Sequence, residues 1–143
     1  MLFATGIDII EIKRFIIWTS YEEKKLLRIF SPQELEDSKK QDKQNYIPEK
    51  LAVRFAAKEA FYKALSSLLI QQDFPLKKFY LIESCPHISV TKKIFDIPEL
   101  NINWSFFEKK TSLLISSNSK TSLSLSHEKN IAAASVIIWS KKI

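Results

Sequence analysis

Leu51–Leu65, LAVRFAAKEAFYKAL, holds neither Gly nor Pro and is rich in alanine, so propensity alone predicts a helix. Pro48 followed by Glu49 supplies a start signal just upstream. At 100° per residue, Leu51, Phe55, Tyr62 and Leu65 fall on one apolar stripe, and Ala52, Ala56, Ala60 and Ala64 form a second stripe of small side chains. A helix apolar on two faces is expected to be buried on both. Glu59 and Lys63 lie between the stripes, one turn apart. As an i,i+4 pair in the favourable order they read first as a solvated surface bridge. A carboxylate pressed against alanines must instead find a cation or a proton, which makes Glu59 a functional candidate.

Working outward to the N-terminus, residues 2–12, LFATGIDIIEI, alternate as a strand, with Ile7 and Ile9 on one face and Asp8, Ile10 and Ile12 on the other. Asp is depleted in strands, so Asp8 reads either as a strand-end turn residue after Gly6 or as an acid projecting towards the central helix. Residues 13–28 are expected to form a helix whose basic face carries Lys13, Arg14, Lys24, Lys25 and Arg28. Such a face is either solvated or a docking surface for an acidic partner. Ser31-Pro32-Gln33-Glu34 is a helix start, with a Ser cap, Pro at the first position and Glu at the third, for a short helix to about Lys39. Lys40–Glu49 reads as a loop.

Beyond the central helix, Ser66-Ser67 is a weak stop that Leu68–Ile70 can override. Phe79–Ser84 and His87–Thr91 are expected to be two strands around Cys85-Pro86. Pro98 forbids one uninterrupted helix over 92–107, whose Trp104, Phe106 and Phe107 need a core, and Ser116–Thr121 reads as a polar turn. Ser122–His127 alternates with period two, Glu128-Lys129-Asn130 is a turn, and Ile131–Trp139 is an apolar strand, together a hairpin with His127 at the strand-to-turn junction.

The 143 residues suit one domain, 1–143, with 45% hydrophobic residues and a net charge of +6 that favours an acidic or phosphorylated partner. One cysteine excludes an internal disulfide, and Cys85 with His87 and His127 does not make a zinc cluster. Cys85 reads as a buried small hydrophobe rather than a nucleophile. A single glycine excludes Gly-rich phosphate loops. No signal peptide and no run of about twenty apolar residues is read, so the expected location is the cytoplasm, with no membrane partner.

GIDIIEIKR at the start, RFAAKEAFYKAL in the middle and SLSHEKNIAAASVII at the end resemble, in that order and spacing, the bacterial holo-[acyl carrier protein] synthases, the short 4′-phosphopantetheinyl transferases. The resemblance implies an α+β fold, an antiparallel sheet packed on the long central helix. It implies transfer of the phosphopantetheine arm of coenzyme A to a serine of acyl carrier protein in fatty acid biosynthesis, releasing adenosine 3′,5′-bisphosphate, with Mg²⁺ as cofactor. By motif position it implies Asp8 and Glu59 as metal ligands and Lys63 on the diphosphate. Arg54 and Lys58 would hold coenzyme A phosphates, Ser126 and His127 would lie near the adenosine end, and Arg14 would belong to the carrier-docking helix. It further implies a homotrimer with the active site at a subunit interface. The residue types suit that chemistry, because Mg²⁺ takes one or two carboxylates together with phosphate and water oxygens. The serine proton has two candidate acceptors, Glu59 or a water on the metal. No nucleophile is needed in this chain, since it belongs to the carrier.

The family's Gly-Thr-Gly turn is replaced here by Ser66-Ser67-Leu68 and its Gly-Lys-Pro by Cys85-Pro86-His87, and Phe95–Lys120 is longer. Other classes that fit the charge or the paired acids are a basic nucleic-acid-binding module, though no stacking motif accompanies the basic residues, an inactive transferase relative and a Mg²⁺-dependent phosphoesterase.

Overall fold

The computed structural model describes residues 1–41, 44–71, 78–112 and 119–141. Strand β1, Leu2–Glu11, alternates as its sequence requires: Ala4, Gly6, Asp8 and Ile10 are buried, and Ile7 and Ile9 are exposed. It pairs antiparallel with β5, Ile131–Ser140, which pairs antiparallel with β4, Ser119–Glu128, to give a three-stranded sheet in the order β1-β5-β4. The β4–β5 turn is tighter than the three residues expected, because Glu128 and Ile131 still pair and only Lys129-Asn130 bridge them. Of the Ser116–Thr121 segment, residues 119–121 are strand rather than turn, and 116–118 lie outside the described residues.

The long helix lies across the inner face of this sheet. Four helices precede β4 in addition to it or flank it: α1, Glu23–Leu26; α2, Pro32–Asp37; α4, Leu81–Ser84; and α5, Trp104–Thr111. The long one is α3, Pro48–Ile70, about 35 Å at 1.5 Å per residue. Pro48 opens it, and it runs through Ser66-Ser67, where the Ser66 hydroxyl donates back to the Tyr62 carbonyl at 2.7 Å in place of breaking the helix. Both stripes are buried apart from Tyr62, which is half-buried. The alanine stripe lets the sheet approach closely. A Cβ on Gly6 would collide with the Ala60 carbonyl oxygen and come within 2.8 Å of the Ala64 amide nitrogen. On the far side, Phe61 meets Trp104 at 5.9 Å and Phe107 at 5.4 Å, which gives the aromatics of the 92–107 region their core.

Two expected elements differ. Residues 13–28 are not one helix but short 3₁₀ turns, Ile12–Phe15 and Ile17–Ser20, followed by the single turn of α1. The side chains of Thr19 and Ser20 donate to the carbonyls of Ile16 and Ile17, competing with helical bonding, and Tyr21 is extended. Phe79–Ser84 is not a strand. The Glu83 carboxylate accepts the Tyr80 amide and the Ser84 hydroxyl donates to the Tyr80 carbonyl, winding α4 from local polar contacts. The expected strand after Pro86 is present as β2, Ile88–Lys92, and pairs with β3, Pro98–Ile102, which Pro98 opens. Ser31 caps α2 with the reciprocal Glu34 contact its sequence announces.

Candidate active site

Asp8 projects from the inner face of β1 towards α3, and Glu59 and Lys63 face it from one turn apart on that helix. Lys63 Nζ donates to Asp8 Oδ1 at 3.1 Å and to the Ile7 carbonyl at 3.0 Å, and lies 3.9 Å from Glu59 Oε1. One ammonium thus lies beside both acids. Asp8 is 7% exposed, and its Oδ2 is buried without a hydrogen-bond partner. Burial, and then the neighbouring Asp8 carboxylate, push the Glu59 carboxyl above its ordinary range, while Lys63 and Arg14 act against that rise. Arg14 sits in the 3₁₀ turn after β1, so a basic residue of the 13–28 segment acts on the paired acids.

An orphaned, buried carboxylate oxygen beside a second carboxylate is a donor set that fits Mg²⁺. No group of three or more His, Cys, Asp or Glu side chains gathers among the described residues. Two carboxylates suffice for this ion when phosphate and water complete its shell.

Arg54 and Lys58 do not join this site. Lys58 is fully buried, and its three ammonium protons are taken by Glu34 Oε1 at 2.7 Å, the Cys85 carbonyl at 3.1 Å and the Ile88 carbonyl. No Nζ donor is left for a phosphate in this arrangement, whereas its motif position implied one. Burial pulls its pKa down in spite of Glu34. Arg54 is buried too, with Nη1 donating to the Lys50 carbonyl at 3.0 Å and Nε unpartnered. Glu34 is the residue that sequence reasoning missed. Read only as the capping acid of α2, it also accepts the Val90 amide at 3.1 Å and so ties α2, α3 and β2 together. The Ser-x-x-Glu pattern announced its capping bond, but nothing local announced its lysine.

Ser126 and His127 stand apart from Asp8 within one chain. Asp8 aligns with Ala134 and Leu125 across the sheet, whereas His127 lies two residues nearer the hairpin turn on β4, two strands away. Ser126 alternates onto the outer face, in line with Ala133 and Ile9, and both residues are exposed. Cys85 is buried and its thiol is pushed up to about 11, which removes it as a nucleophile.

Residues 4–125 match the model of the 4′-phosphopantetheinyl transferase superfamily. Among curated relatives, a holo-[acyl-carrier-protein] synthase of Wolbachia pipientis subsp. Culex pipiens is 34% identical over 143 residues, 96% of this chain and 98% of the relative. One of Treponema pallidum is 33% identical over 138 residues, 96% of each. Among solved structures, the ACPS–CoA complex of Chronobacterium ammoniagenes superposes with a TM-score of 0.76 at 23% identity over 99% of both chains. The holo-[acyl-carrier-protein] synthase of Neisseria meningitidis superposes at 0.68 with 26% identity, over 96% of this chain and 98% of the other.

Proposed function

Since the chain belongs to the 4′-phosphopantetheinyl transferase superfamily, we propose that it is a holo-[acyl carrier protein] synthase, moving the phosphopantetheine arm of coenzyme A onto a serine of apo-acyl carrier protein. The observation that carries this reading is the near full-length likeness to holo-[acyl-carrier-protein] synthases together with Asp8, Glu59 and Lys63 meeting at one point. The serine hydroxyl of the carrier attacks the phosphorus that bears the pantetheine arm. The bond from that phosphorus to the bridging oxygen breaks, and adenosine 3′,5′-bisphosphate leaves with the electron pair.

In this reading Asp8 and Glu59 hold Mg²⁺, which when bound neutralises the diphosphate and the charge growing on the bridging oxygen. Lys63 adds a point charge to the same phosphates. The serine proton passes to Glu59 or to a water at the same site, both within reach of the carrier hydroxyl in this reading. Fatty acid biosynthesis in the cytoplasm is the setting this activity serves, and no helix among the described residues is long and apolar enough to cross a membrane.

The carrier docks, in this proposal, on the basic segment. Lys24, Lys25 and Arg28 are exposed, and a cavity of about 260 Å³ opens among Trp18, Tyr21, Leu26, Ile29 and Ile82 beside Lys25 and Arg28. Apolar floor and basic side chains suit an acidic amphipathic partner. Lys13 contributes less, because it is paired with Glu11 at 2.8 Å. A homotrimer is supported by the outer face of the sheet, where Phe3, Ile7, Ile9, Ile131 and Ile137 are uncovered. Ser126 shares that face, so a neighbouring copy packed there brings a second chain near it.

Mass spectrometry of an apo-carrier protein incubated with coenzyme A, Mg²⁺ and this protein tests the activity. The expected result is a gain of one phosphopantetheine arm on the carrier serine. An unmodified carrier, with a known synthase converting the same sample, overturns the reading.

A further inference from the structure

The ammonium of Lys63 lies beside Asp8 and Glu59, the two acids that would hold the metal. It is 3.1 Å from Asp8 Oδ1 and 3.9 Å from Glu59 Oε1, and it is their counter-ion in the free protein. A divalent cation drawn in by the same two acids would meet a like charge at contact distance, in a site where Asp8 has only 9% of its side chain in water to screen it. The two cations would repel one another across the Asp8 carboxylate. Lys63 is also the member of the cluster free to leave: its side chain is 47% exposed, its four-carbon stem is flexible, and it roots on the solvent side of α3. Its other bond, to the Ile7 carbonyl, is to an exposed edge rather than a buried acceptor.

We infer that Lys63 is an exchangeable counter-ion that occupies the metal site of the free protein and is displaced from it when the metal enters with a diphosphate. Displaced, the ammonium finds its new partner in the diphosphate itself. Metal and diphosphate therefore bind cooperatively: each alone shifts the charge of the site, and together their charges offset. A lysine acting only as a phosphate hook would strengthen diphosphate binding and leave the metal affinity of the free protein untouched. The displacement makes the opposite statement about the free protein. This inference rests on the metal reading proposed above.

Mn²⁺ titration of the substrate-free protein, read by electron paramagnetic resonance of the unbound ion, tests it with wild type, Lys63→Met, Lys63→Arg and Asp8→Asn. Lys63→Met keeps length and bulk and removes the charge, and it should tighten Mn²⁺ binding by at least ~10-fold, because a unit charge a few ångströms from the ion is gone. Lys63→Arg keeps the charge and should bind Mn²⁺ as weakly as wild type. Saturating coenzyme A should then tighten Mn²⁺ binding by a larger factor in wild type than in Lys63→Met. If Lys63→Met binds Mn²⁺ no better than wild type while Asp8→Asn binds it more weakly, the counter-ion inference falls and the metal site stands. If Asp8→Asn changes nothing, or if Mn²⁺ binds none of the variants, the metal assignment falls and the inference with it.

Discussion

Lys58 and Lys63 differ by five positions on one helix and carry the same charge, yet one is fully buried and the other is half exposed. The buried one is a structural residue. Its removal leaves the Glu34 carboxylate charged and enclosed, so Lys58→Met should cost about 3–5 kcal/mol, the typical penalty for breaking one side of a buried pair. Urea denaturation should show the double variant Lys58→Met with Glu34→Gln to be more stable than Lys58→Met alone. Glu59 behaves in the opposite sense. Its folded-state pKa lies above the ordinary 4.5, so its favourable contribution is complete below 4.5 and is lost as pH rises through the raised value. In the metal-free protein at neutral pH, Glu59→Gln should therefore leave stability unchanged or higher, and its advantage should shrink as the pH falls towards 4.5. The same substitution should cut transfer by at least ~10²-fold, as for loss of one strong transition-state contact. Melting curves against pH and a carrier-loading assay check the two halves separately. Transfer at the wild-type rate would return Glu59 to a plain partner of Lys63.

The seam between β1 and α3 sets the separation of the two acids. Gly6 lies two residues before Asp8 on the same face of β1, and it meets α3 at Ala60 and Ala64, the residues directly after Glu59 and Lys63. The atoms that a Gly6→Ala methyl would strike are backbone, which cannot rotate aside. The strand must lift from the helix, at a cost of about 1–3 kcal/mol or more for overpacking. Thermal melts should show the loss, and transfer should fall further than stability explains, because Asp8 moves with the strand. Full activity at a lowered melting temperature would show that the acids tolerate a wider seam. The basic turns after β1 make a different prediction. Arg14→Glu should weaken carrier binding and its salt dependence while leaving coenzyme A affinity nearly intact, as charge reversal at a steering surface does. Carrier affinity indifferent to both the reversal and added salt would remove this segment as the docking surface.

At the scale of the whole molecule, the three-stranded sheet has one face covered by α3 and the other bare. Ile7 and Ile9, on edge strand β1 of that uncovered face, are 61% and 65% exposed. Contiguous apolar surface of this kind is what the proposed trimer would cover. Light scattering at micromolar concentration should give the mass of a trimer. Ile7→Lys with Ile9→Lys should give a monomer of unchanged circular dichroism that no longer loads the carrier. A fully active wild-type monomer would dispose of the shared site.

Much of this was legible in the residue order, because it depends on neighbours a few positions away. The period of 3.6 in α3, the period of two in β1 and in the final hairpin, and the Ser31–Glu34 cap are local patterns that any packing must respect. They also singled out Asp8 and Glu59, as acids on faces otherwise apolar. Local preference was least informative where it was evenly divided, and there the turns after β1 and the winding of α4 were decided by side chains bonding to nearby carbonyls and amides. What only the tertiary structure decided is which charge meets which. Lys58 and Lys63 point about 140° apart around one helix axis. One meets Glu34, 24 positions away, and the other meets Asp8, 55 positions away. A charge becomes a core strut or a displaceable counter-ion according to what is packed against its face and how much water remains there, and those partners are set by the folding of distant segments onto one another.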